Sequence, residues 1–289
     1  MRHRVTAALA ALVLGLLAAC TTPAGEPSPS PDEGGLPVGS SVQQVDVDGT
    51  TRTYRAYRPA GLDGPAPLVL FFHGYGGSAE QAEADYGWDA LADAEGVVVA
   101  YVDGVENSFD AGSCCGPARE AGVDDVGAAL AVVDDVAERV AVDPDRRYAA
   151  GFSNGGAMTY RLACETDVFA AFGPVGGGEL VDCSGARPAS LLHVHGARDV
   201  VVPVDGDPDG TGMGHPPVAE SVAGWRDRLG CEPPVTTDED RVVTTTAGCP
   251  DGREVTLVVA DVLEHTWPTA ATGVDATRTL WEFFAAHGR

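Results

Sequence analysis

Gly151-Phe152-Ser153-Asn154-Gly155, with Gly156 directly after it, is a G-x-S-x-G motif and constrains the fold more than any other stretch of the chain. A short strand-forming run, Arg147-Tyr148-Ala149-Ala150, feeds into it and a helix-forming run, Ala157 to Ala163, leaves it. The serine therefore stands at a strand-to-helix corner. Such a corner holds its serine in a strained backbone conformation, and side chains two residues to either side would collide with the neighbouring strand or helix; glycine answers that constraint at both places. A Gly-rich turn with an incidental serine would carry the same five residues, so the remainder of the chain has to decide.

The runs on either side of the motif alternate between two kinds. Val42 to Asp48 and Thr51 to Arg58 repeat with period two around Asp48-Gly49, which predicts a hairpin. Pro67 to Phe72, Val97 to Val102, Phe169 to Val175 and Leu191 to His195 are continuous apolar runs of strand length, suited to central strands covered on both faces. Glu254 to Val259 reads as a further strand. Helices are expected over Ala79–Glu95, Val123–Val140, Pro217–Leu229 and Asp275–Ala286. Asp124 and Asp125 read as a solvated first helical turn rather than as an acid/base pair. Buried strands alternating with helices predict an α/β fold, a mainly parallel sheet with helices on both faces. At 289 residues one large domain suffices to hold it.

Residues 1–20 stand apart. Arg2, His3 and Arg4 precede an apolar run, Val5 to Leu17, that is short for a bilayer span and ends in small residues, as a secretory signal does. Leu17-Ala18-Ala19-Cys20 resembles the lipobox of bacterial lipoproteins, which predicts cleavage before Cys20 and its lipidation, and hence a membrane anchor at the cell surface. The alternative is an ordinary cleavage site and a secreted product. Residues 21–41, rich in Pro, Gly, Ser and Thr, read as a disordered tether, which leaves 42–289 as the folded domain. Export suits the six other cysteines as disulfides. Local loop closure favours Cys164–Cys183 and Cys231–Cys249, with Cys114 and Cys115 either joined as neighbours or trading partners.

Charge excludes a class of partners. With 43 acidic residues against 18 basic ones the formal charge is −25, and every basic residue is arginine. A field of that sign opposes phosphate, so nucleic acid is not expected as a partner. No cysteine or histidine spacing suits zinc. Asp205-Gly206-Asp207-Pro208-Asp209-Gly210 imitates the opening of a calcium loop, but its twelfth position is Pro216 where a bidentate Glu is needed, and an acidic surface loop accounts for it. No metal and no cofactor are expected.

A corner serine is a poor nucleophile until a base takes its proton, and that base needs a carboxylate to fix its tautomer. On this architecture the order is Ser, then Asp or Glu, then His. Asp199 follows the strand Leu191–His195 through Gly196-Ala197-Arg198 and is the candidate acid, ahead of Asp205, Asp207 and Asp209. Among the histidines downstream of it, His265 stands between the last strand and the last helix and is the candidate base. His215 reads as surface or substrate-facing, and His287 as part of a fraying tail. The backbone N–H of Asn154 and that of Tyr75, in the loop His73-Gly74-Tyr75-Gly76-Gly77, are the candidate oxyanion donors.

Leu70 to Gly77, Ser113-Cys114-Cys115-Gly116-Pro117-Ala118, Asp124-Asp125-Val126, the serine motif, His195 to Pro203 and His265-Thr266-Trp267-Pro268 together resemble a secreted esterase family. It joins poly(3-hydroxybutyrate) depolymerase-like proteins with feruloyl and acetyl xylan esterases. The resemblance implies an α/β-hydrolase fold from about Val45 to His287, a Ser153–Asp199–His265 triad, no cofactor, and an ester substrate linked to plant polysaccharide or to polyester. Where the family often has Gly-Thr-x-Asp this chain has Gly196-Ala197-Arg198-Asp199, which keeps the acid in place. His73, Trp88 and Trp267 are candidate substrate contacts, and Trp88, Trp267 and Tyr75 would offer an aromatic platform, with plain packing as the alternative. An acyltransferase or a non-catalytic surface binding protein on the same fold are the other readings.

Overall fold

The computed structural model describes Met1, residues 35–207 and residues 213–289. The signal and lipobox expectation, Cys20 with it, residues 21–34 of the expected tether, and Asp209 lie outside the described residues.

Asp48 and Gly49 both take left-handed φ, 51° and 82°, and close a two-residue turn between β1 (Gly39–Val47) and β2 (Thr50–Arg58). The central strands are β3 (Ala66–Phe72), β4 (Val98–Val102), β5 (Val142–Phe152), β6 (Ala171–Val175) and β7 (Ser190–Gly196). A second hairpin, β8 (Val235–Glu239) with β9 (Val242–Gly248), precedes β10 (Glu254–Ala260). The helices are α1 (Ala79–Asp85), α2 (Trp88–Glu95), α3 (Gly116–Ala121), α4 (Asp125–Arg139), α5 (Asn154–Glu165), α6 (Val218–Leu229) and α7 (Ala276–Ala286).

All ten strands join one sheet in the order β1-β2-β4-β3-β5-β6-β7-β10-β9-β8. From β4 to β10 neighbours run parallel; at either end a hairpin adds antiparallel strands. Side chains on β3 divide by alternation: Leu68, Leu70 and Phe72 join the core under α4, α5 and α6, while Val69 and Phe71 join the core under α1, α2 and α7. Helices on both faces explain why β3, β4 and β6 are apolar at every position rather than at every other one. The parallel strands place their C-terminal ends along one edge, and the loops leaving β3, β5, β7 and β10 carry His73, Ser153, Asp199 and His265 to that edge.

Several expectations need correction. The helix expected over Ala79–Glu95 is two, because Gly87 adopts φ 74° between them and reverses the chain. The folded region starts before residue 42: Leu36 is buried in the core and Gly39–Ser41 already pair with β2. Asp124 caps α4 by accepting the Gly127 N–H at 2.7 Å, as a first-turn acid should. Asp125, in contrast, is not solvated. It is 1% exposed, bonds Arg52 Nη2 at 2.5 Å and accepts the Asp110 N–H at 2.6 Å. This buried pair joins β2, α4 and the loop after β4. The structure pairs Cys164 with Cys183, Cys231 with Cys249, and Cys114 with its neighbour Cys115.

Removing the cation of a buried pair strands the carboxylate without its partner. Arg52→Ala is expected to cost about 3 kcal/mol, read as a lower urea midpoint with little change in slope.

Candidate active site

Ser153 has φ 57° and ψ −117°, a conformation that side chains adopt only when the surroundings impose it. The surroundings here are backbone. A Cβ at Gly155 would run into the carbonyls of Phe72 and His73, and one at Gly151 would run into Gly155. Ser153 N–H bonds the Val175 carbonyl at 2.9 Å, which fixes the corner to β6. Glycine is thus required because three stretches of main chain meet at the corner.

The serine Oγ lies 2.8 Å from His265 Nε2, and His265 Nδ1 lies 2.7 Å from Asp199 Oδ2. Asp199 accepts the N–H groups of Val201 and Val202 on its other oxygen, at 2.9 and 2.8 Å, so Oδ2 is left to face the imidazole. Burial alone would raise the Asp199 carboxyl, but the hydrogen bonds from His265 and Val202 outweigh it and hold the group below the usual aspartate range. A depressed folded value means that this contribution to stability is complete above the ordinary carboxylate range and is lost as pH falls through the folded value. The loops carrying acid and base are tied to each other. Ala197 N–H bonds Ala260 O at 2.9 Å, Arg198 N–H bonds Leu263 O at 3.0 Å, and a Cβ at Gly196 would strike the Leu263 carbonyl. Phe152, beside the serine, packs its ring 4.9 Å from that of His265.

The amides of Tyr75 and Asn154 donate to no protein acceptor among the described residues. Asn154 N–H is at the start of α5, where helix geometry leaves donors open. Gly74 brings the other loop up to the serine: a Cβ there would touch Ser153 Cβ at 3.4 Å. Backbone donors, a hydroxyl, an imidazole and a carboxylate thus converge on one edge of the sheet, an arrangement suited to acyl transfer.

The family model described as Esterase PHB depolymerase matches residues 52–211. The chain belongs to this family. Feruloyl esterase C of Emericella nidulans is 29% identical over 250 residues, covering 81% of this chain and 84% of its own. Feruloyl esterase B of Piromyces equi is 35% identical over 161 residues, which cover 51% of this chain and 29% of that protein. The chain spans about half or less of the length of the first curated relatives it matches. The acetyl xylan esterase from Aspergillus awamori superposes with a TM-score of 0.65 at 18% identity, over 85% of this chain and 99% of that one, and shows the α/β-hydrolase fold.

Within this esterase fold the expected substrate contacts turn out to be packing and bracing. His73 is fully buried, donates from Nδ1 to Gly74 O at 2.8 Å and accepts the Gly104 N–H on Nε2 at 3.0 Å. It holds the Tyr75 loop against the loop after β4. Trp88 is fully buried, with its ring 6.0 Å from Phe71. Trp267 stacks on Tyr86 at 4.7 Å and donates its indole N–H to Thr277 at 3.2 Å. Of the three aromatics expected to form a platform, only Tyr75 is exposed, at 61%. His215 is not at the surface either: it is fully buried, and its Nδ1 donates to Pro216 O at 2.8 Å. Asp207, a rival acid, instead accepts the amides of Gly214 and His215.

One contributor was not legible in the motif. The Asn154 side chain, fully buried, accepts the Phe109 N–H at 2.8 Å and donates to the Phe109 carbonyl at 3.0 Å, clasping the loop after β4 to the corner. The sign of it in the sequence is a polar side chain directly after the serine, at the start of an expected helix. Asn154→Ala leaves the Phe109 N–H without a partner and its carbonyl with only the long bond from the Cys115 N–H, at 3.4 Å, and is expected to cost about 1–3 kcal/mol, with faster amide exchange at Phe109.

Proposed function

We propose that the chain is a serine carboxylic ester hydrolase. The observation that carries this reading is the unbroken hydrogen-bonded line Ser153–His265–Asp199 at a corner whose backbone is held left-handed. Ser153 Oγ attacks the ester carbonyl while His265 Nε2 takes the hydroxyl proton; Asp199 fixes the Nδ1–H tautomer and balances the imidazolium. The amides of Tyr75 and Asn154 receive the developing oxyanion. His265 returns its proton to the leaving alkoxide, which departs as the alcohol, and then activates water to release the acid from the acyl-enzyme.

The substrate reading is an ester on plant polysaccharide, feruloyl or acetyl, supported by the names of the relatives and by the exposed rim. Tyr75, Val200 at 87% and Val201 at 56% exposure flank the oxyanion loop and the acid, and offer an apolar edge to an acyl group. A polyester of hydroxybutyrate is the second reading, favoured by the family description. Export, a lipid anchor at Cys20 and a tether ahead of the catalytic domain complete the proposal; three cysteine pairs support the oxidising compartment.

Release of product from p-nitrophenyl acetate, methyl ferulate, acetylated xylan and a hydroxybutyrate oligomer, run beside Ser153→Ala, tests this directly. Activity is expected to fall by about 1,000-fold or more in the variant, and equal activity on every ester would falsify the reading. Cys20→Ala is expected to move the protein from the membrane fraction into the medium.

A further inference from the structure

Asp199 faces a second imidazole besides His265. His195 Nε2 lies 3.6 Å from Asp199 Oδ2 and 2.8 Å from the Val202 carbonyl. His195 Nδ1 lies 2.9 Å from His193 Nε2, and His193 Nδ1 lies 2.7 Å from the Tyr160 hydroxyl. All three side chains are fully buried. Two residues apart on β7, the histidines project from the same face of the sheet, toward the side where α5 supplies Tyr160. A run of three polar groups through an apolar core is costly unless every member is satisfied, and here every member is.

The protons in this run have one arrangement. A carbonyl only accepts, so the proton shared with Val202 belongs to His195 Nε2. In the neutral ring Nδ1 then accepts, which puts the next proton on His193 Nε2, and by the same step His193 Nδ1 accepts from Tyr160 O–H. Each donor therefore points toward the acid loop. The last one meets the carbonyl of Val202, whose own N–H holds Asp199 Oδ1.

We propose that Tyr160, His193 and His195 are positioning residues for Asp199: a one-way, neutral hydrogen-bond chain from α5 that pins the acid loop and turns its dipoles toward the carboxylate. The proposal rests on Asp199 serving as the acid of the hydrolase proposed above. Charge along the chain is suppressed by burial. It drives His193 well below the ordinary imidazole range, with His195 and His215 adding to the effect. It lowers His195 too, against the Val202 bond and Asp199, which raise it, and with His215 and His265 on its side. Burial pushes the Tyr160 phenol well up, with Glu179 adding and Arg228 opposing. A chain that stays neutral keeps its direction over the whole working range.

Tyr160→Phe removes the first donor and almost no volume. His193 and His195 are then free to reverse, which would leave the lone pair of His195 Nε2 against the Val202 carbonyl and loosen the acid loop. The expected result is a fall in kcat of about tenfold with KM within about twofold, and a shifted or broadened His265 Nδ1 proton resonance, with the fold retained by circular dichroism. Histidine side-chain nitrogen shifts on the unsubstituted protein test the same chain without turnover. Both His193 and His195 are expected to carry their proton on Nε2 and to show no titration between about pH 5 and 8. A Tyr160→Phe protein with wild-type kcat, or either histidine protonated on Nδ1 or titrating in that window, overturns the proposal. Failure of the hydrolase reading registers separately, as an active Ser153→Ala protein, because the tautomers are read independently of activity.

Discussion

Three main-chain segments meet at Ser153 with no room for a side chain between them. Gly155 passes over the end of β3, Gly151 passes under Gly155, and Gly74 passes beside the serine Cβ. Their close approach turns β5 sharply into α5, and the turn holds Ser153 at positive φ with its Oγ toward His265. Everything else at the site is positioned relative to this crossing. Strain of order 1–3 kcal/mol at one residue is tolerable because the β3–β5 and β5–β6 ladders and two buried faces hold the flanking segments in place.

Around the corner, polar groups do in the interior what loops do at the surface. His73 braces the Tyr75 loop, Asn154 clasps Phe109, and the Arg52–Asp125 pair anchors the loop that Phe109 belongs to. These bonds converge on residues 103–110, a connection that holds no helix or strand beyond an isolated bridge between Val105 and Ser108. Side chains supply to that loop the hydrogen bonds that a ladder would otherwise provide. The acid and base loops are handled differently, by main-chain bonds from Ala197 and Arg198 to the turn after β10. Asp199 and His265 thus belong to one stitched unit and Ser153 to another, joined through the sheet.

The central strands were legible because strands buried on both faces, β3 and β4 above all, are apolar at nearly every position, and the nucleophile corner was legible because backbone crossings demand glycine. Asp199 and His265 followed from their places in the chain, each in a loop after a strand and in the order serine, acid, base, and the sheet then sets the ends of β7 and β10 side by side. The failures have physical reasons as well. Trp88 and Trp267 carry no sign in the sequence of whether a ring faces a pocket or the core, and the core took both. Asp125 resembled a helix-capping acid because its partner, Arg52, is 73 residues away. The β8–β9 hairpin was missed because β8 is exposed at every position, and threonine and acid residues give no apolar alternation to read.

That hairpin has a consequence for the strand that delivers His265. Without it β10 would be the border of the sheet, with a free row of amides and carbonyls one turn from the base. With it β10 is an interior strand, laddered to β7 on one side and β9 on the other, and the border falls to a five-residue strand that ends in Asp238 and Glu239. Short length and charge make that border a poor template for another chain, so the hazard of strand-to-strand association is moved two strands away from the strand that leads to the imidazole.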